Sequence, residues 1–187
     1  MKPYLDNKAI WNEAAVSGLL FGAVSVGCLA GKEFAAMSGN VFLTQAAAIV
    51  LWAVEFFGCI LLMKRRMILL RDKYDAVMIS DSYRFGRRTA LLSGLILASA
   101  NTLFIMQMPD GTMDTMMAQV GQSLSLSSAD MEAAGAMMDK LPLWTFIFQW
   151  VYCFLYGTVL SSIMSRYIFI QKLFDTRPPK DDEPEDQ

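Results

Sequence analysis

The sequence predicts an all-α integral membrane protein, a bundle of four helices, and three observations carry that prediction. Hydrophobic residues make up 55% of the 187-residue chain and charged residues only 18%, against about 25% charge in a soluble domain. The charges cluster and leave four long apolar runs. The basic residues fall almost entirely on alternate connecting segments, the pattern that membrane topology imposes.

The runs come in order. Eighteen uncharged residues separate Glu13 from Lys32, and between Phe34 and Met63 the only charge is Glu55. Twenty-one uncharged residues run from Thr89 to Pro109, and twenty-five from Leu141 to Ser165. A helix crossing about 30 Å of hydrocarbon needs roughly 20 mainly apolar residues. Spans are therefore expected near 12–31, 41–63, 88–108 and 142–166. Helices are required because an open strand would leave backbone groups unpaired in lipid. The amphipathic helices of a soluble bundle would show charges every turn or so, and these runs do not.

Fourteen of the sixteen Lys and Arg residues lie before the first span, between residues 64 and 88, or after the fourth; Lys32 and Lys140 are the exceptions. This asymmetry predicts cytoplasmic N- and C-termini and a cytoplasmic 64–88 loop. Lys64, Arg65, Arg66, Arg71, Arg84, Arg87 and Arg88 form a basic patch expected to meet anionic lipid headgroups. Met67 to Leu70 continue the second span. That helix should therefore run several turns past the membrane, with its apolar side on the bilayer or on a partner.

Segment 110–140 should lie outside the cytoplasm. Met113, Met116 and Met117 have helical spacing, and Ser127-x-x-Asp130 reads as a helix start. Two short amphipathic helices are expected there. Thioethers bind Cu(I), but the simpler role of methionine is flexible apolar packing, and no cysteine or histidine adds a ligand. No cofactor is expected. The acidic, proline-containing 176–187 tail cannot form a core, which leaves residues 1–175 as one membrane domain.

An uncleaved first span is favoured over a lipoprotein signal ending at Cys28. The usual aliphatic residue three places earlier is missing, and Asp6 and Glu13 interrupt the preceding region. Cys28, Cys59 and Cys153 all fall in spans without a CxxC, as structural thiols do. Ala14–Leu19 echoes Ala90–Leu95 at an offset of 76; a true repeat would relate the two halves about an axis along the membrane normal.

Chemistry is sparse. The chain has no histidine, which removes His-based acid/base catalysis and His-ligated metal sites. There is no phosphate-binding glycine loop and no nucleophile elbow. The net charge of −2 and the absence of a broad basic face argue against nucleic acid. An enzyme is not expected. Glu55 is the one charge deep in a span, and a carboxylate in lipid must be paired, protonated or wetted. With only Ser17, Ser93, Tyr156 and Thr158 placed at similar depth, the expectation is a neutral carboxyl facing the bundle interior and bonded to a hydroxyl. Gly18, Gly22, Gly27 and Gly31 on the first span, and Gly157 and Ser161 on the fourth, have the four-residue spacing that lets helices approach closely.

The opening Asn7-Lys8-Ala9-Ile10-Trp11, the following Ala14–Leu19, the Ser82-Tyr83-Arg84-Phe85-Gly86-Arg87 end of the basic loop and the Met-rich outer segment together resemble the bacterial membrane proteins grouped as the domain of unknown function 4199 family. The resemblance spans about residues 5–175. It implies a four-helix inner-membrane protein with no assigned activity and supplies no catalytic residues. Members are often encoded near lipid-linked sugar transferases, which implies a partner class. The reading that follows is an accessory or scaffold subunit working with a membrane-protein partner or as a homo-oligomer. The alternative is a small dimeric transporter or proton-coupled channel using Glu55.

Overall fold

The computed structural model describes residues 2–107 and 140–175. Four helices, α1 (Asn7–Met37), α2 (Val41–Lys73), α3 (Ile79–Met106) and α4 (Leu141–Asp175), follow in order, and all four are long and apolar enough to cross a membrane. The expected all-helical architecture is present. The 110–140 helices and the 176–187 tail lie outside the described residues.

Local chemistry sets the helix ends. The Asp6 carboxylate accepts the Ala9 N–H at 2.6 Å and starts α1. The chain reverses at Ser38-Gly39-Asn40, where Gly39 takes a φ of +68° that glycine adopts without penalty. Asn40 then caps α2 by accepting the N–H groups of Phe42 and Leu43. Met78 donates its N–H to the Asp81 side chain at the start of α3. Between α2 and α3, Asp75 donates to the Pro3 carbonyl at 3.1 Å and ties the N-terminal segment to the α2–α3 turn.

α1 and α2 form one antiparallel hairpin, α3 and α4 pack as a second antiparallel pair, and α1 lies parallel to α3 between them. The α3–α4 contact is built from small residues. A Cβ on Gly86 would overlap Ser161, one on Gly157 would overlap Ala90, and one on Gly94 would lie 3.0 Å from the Cys153 Cβ. Each contact on α3 falls four residues after the last, so one stripe of the helix meets one stripe of its neighbour. Gly18 and Gly22 seat α1 against Leu92 and Ile96 of α3, where an added Cβ would lie only 2.8 Å from each side chain and clash. Gly31 approaches Leu51 of α2, but Gly27 faces open space and packs on nothing among the described residues. The close-packing role expected of Gly27 is therefore absent, because the helix turns it away from its neighbours.

The echo between Ala14–Leu19 and Ala90–Leu95 does not mark equivalent positions. Gly18 faces α3, whereas its counterpart Gly94 faces α4. A two-fold relation would have turned Gly94 toward α1.

The core is concentrated at the end that carries the basic segments. Leu5, Ile10, Met63, Met67, Leu70, Phe85 and Ile168 are buried together there. This locates the apolar side of the α2 extension. It lies on the chain's own core, not on a bilayer or a partner as the sequence suggested. From Val41 to Leu62, by contrast, α2 buries no residue, and α2 meets α4 far less than α3 does.

Candidate functional site

That loose packing opens a cleft of about 340 Å³ lined by all four helices. Its polar centre is an ion pair. Lys32 Nζ of α1 lies 3.3 Å from Glu55 Oε2 of α2, with side-chain exposures of 30% and 23%. Gly31 packs on Leu51, so Glu55 sits one turn deeper than the lysine backbone, and the long lysine stem covers that turn. Glu55 is thus salt-bridged to a cation, which corrects the expected neutral carboxyl bonded to a hydroxyl. The sequence reading missed the partner because it ended the first span at residue 31, whereas α1 continues to Met37. Glu55 does face into the bundle.

Of the hydroxyls placed near Glu55, Ser93 and Tyr156 line the same cleft. The Tyr156 hydroxyl is buried without a hydrogen-bond partner among the described residues, and Ser93 donates to the Ala90 carbonyl. Thr158 donates to Phe154 within its own helix. Ser17 belongs elsewhere: its hydroxyl donates to the Glu13 carbonyl and accepts from Arg66 Nε at 2.9 Å. Ser25, Gln149 and Cys59 also reach the cleft; Cys59 was read from the sequence only as a structural thiol, and Ser25 was not singled out. Its aromatic wall is continuous: Trp52 stacks on Phe56 at 5.5 Å between ring centroids, and Phe56 meets Tyr156 at 5.8 Å. Four-residue spacing of Trp52, Phe56 and Cys59/Ile60 on α2 was the available signal.

A second polar centre fastens the basic end. Glu13 receives Lys73, the Tyr74 hydroxyl at 3.2 Å and Arg66 at 3.8 Å. Lys73 lies past the apolar run that ends at Met63, and the hydrogen bond it donates to the Glu13 carboxylate holds its pKa above the ordinary lysine range. Arg88 donates to the Asn7 side chain at 2.6 Å and lies over the Trp11 ring. Lys64 lies over Tyr167, and Arg71 is 3.6 Å from Asp72. Arg65, Arg84 and Arg87 are exposed. The basic patch therefore divides in two. Arg66 and Arg88 are struts between segments of the chain, and they are not the headgroup contacts that the charge count alone implied.

Among the described residues no group of three or more Cys, Asp or Glu side chains is placed to hold a metal ion. The three cysteines are free thiols. No family model matches the chain, and no curated protein or solved structure matches it either.

Proposed function

We propose that the chain is a multi-pass accessory or scaffold subunit of a bacterial inner membrane, with both termini and the 64–88 segment in the cytoplasm. The observation that carries this reading is the attachment of α2. Its buried residues are Met63, Met67 and Leu70 alone, so the helix is held most tightly at its basic end and is only partly covered by its own bundle along the apolar run. Val50, Val54, Phe57 and Leu61 form an exposed ridge on it, at the spacing by which a second membrane helix packs. The partner is a membrane protein that lays a helix along this ridge. The resemblance noted in the sequence directs attention to lipid-linked sugar transferases as its class.

The test is purification of the full chain from its native membrane in mild detergent, with a photo-crosslinking residue at Phe57. A stoichiometric foreign membrane protein crosslinked at Phe57 supports the reading. Recovery of the chain alone, or crosslinked only to itself, removes it.

A transport reading is favoured by one different observation, the Lys32–Glu55 pair in a cleft reached by all four helices. It requires pH-gradient dissipation by the reconstituted chain that is lost in Glu55→Gln while the protein stays folded.

A further inference from the structure

We infer that the cleft at Lys32 and Glu55 is a binding site for a neutral, ring-headed, bilayer-dissolved molecule bearing hydrogen-bonding ring oxygens, the chemistry of a quinone or quinol.

The entrance sets the first condition. Trp52 of α2 and Tyr152 of α4 line the cleft while remaining 57% and 65% exposed, so they form opposite rims of a mouth between two helices that meet little. Glu55 lies fourteen residues into α2, about 21 Å along the axis, which puts the floor of the cleft within the apolar run. A ligand entering there comes from the hydrocarbon and carries no net charge.

The charge balance sets the second condition. The ammonium of Lys32 is matched by the carboxylate of Glu55. A phosphate or carboxylate ligand would need an uncompensated cation, and among the described residues those lining the cleft supply none besides Lys32. The pair instead offers one donor and one acceptor.

The wall sets the third. Trp52, Phe56 and Tyr156 present linked aromatic faces, suited to a flat ring. The Tyr156 hydroxyl is buried with no partner among the described residues. A buried donor left unmade costs free energy, and an acyl chain would leave it so. A ring oxygen satisfies it. The volume, about 340 Å³, is at the small end of ligand sites, enough for a ring headgroup whose tail leaves through the mouth. This site is independent of the α2 ridge assigned to a protein partner, and either assignment stands if the other fails.

The test uses the full chain in phosphatidylcholine nanodiscs, a decyl-chain benzoquinone as probe and tryptophan quenching as the signal, with Trp52→Phe identifying the part that comes from the mouth. The expected result is a saturable component lost in Trp52→Phe. Tyr156→Phe should weaken binding roughly three- to tenfold while raising the midpoint of thermal unfolding of the unliganded protein, since it removes an unpaired hydroxyl. A merely structural tyrosine would not give that opposite pair of changes. Quenching that rises linearly and identically in wild type and both variants overturns the assignment. Equal displacement of the probe by decanol also overturns it, because the cleft would then be taking acyl chains.

Discussion

Lys32 Nζ sits 3.3 Å from Glu55 Oε2 and joins the two helices of the first hairpin at the polar centre of the cleft. Removing one partner of a buried pair strands the other charge and costs about 3–5 kcal/mol, whereas replacing both with apolar residues is often neutral. The pair is partly exposed, so the single substitutions are expected near or below the lower bound of that range. Lys32→Met and Glu55→Leu should each lower unfolding stability in detergent, and Lys32→Met/Glu55→Leu should recover most of the loss. Additive losses in this double-mutant cycle would show that the two residues do not interact.

The glycines of the bundle are expected to divide by neighbour, not by motif. Gly157→Ala drives a methyl into Ala90 and should destabilise by about 1–3 kcal/mol, the usual cost of overpacking. Gly27→Ala meets nothing within 4 Å and should be neutral or stabilising, because alanine is the better helix former by about 1 kcal/mol. Thermal unfolding of the two variants side by side checks the assignment, and a similar loss in both would contradict it.

Ala76 holds a φ of +52° in the α2–α3 turn. A left-handed backbone costs an L-residue about 1–2 kcal/mol; glycine removes that strain, and its freer unfolded chain offsets roughly 0.4–1 kcal/mol of the gain. Ala76→Gly is therefore expected to stabilise modestly, read as a rise in the unfolding midpoint. A fall would mean that the turn does not hold this conformation.

The proposed orientation rests on the fourteen basic residues on one set of segments. Reporter fusions after Asp75 and at Gln187 should be active as cytoplasmic fusions, and one at Ser125 as an extracytoplasmic fusion. An extracytoplasmic signal at Asp75 would reverse the topology.

The four helices were legible because long uncharged runs are a one-dimensional property: hydrocarbon thickness sets a length, and the sequence can be measured against it. The extension of α2 past Met63 was legible in the same way, from Met67 to Leu70. What those residues touch was not. Met67 and Leu70 belong to a core shared with Leu5, Phe85 and Ile168, and burial against distant segments leaves no local pattern. Gly86 and Gly94 show the same limit. With Ala90 and Ala98 they make a small-residue stripe at four-residue spacing, readable in principle but hidden beside the arginines that marked a loop. Glu55 was singled out from the sequence because a lone charge in an apolar run is costly wherever the helix lies. Its partner depended on the tertiary structure, since the position of Lys32 near the end of α1 gives no sign that its side chain reaches one turn down α2. Composition and charge order determined that this chain is built of membrane-length helices. Helix rotation and register, set by which small residues meet, decided that Gly27 faces outward, that Arg66 braces Glu13, and that a cleft with a paired acid and base lies between the helices.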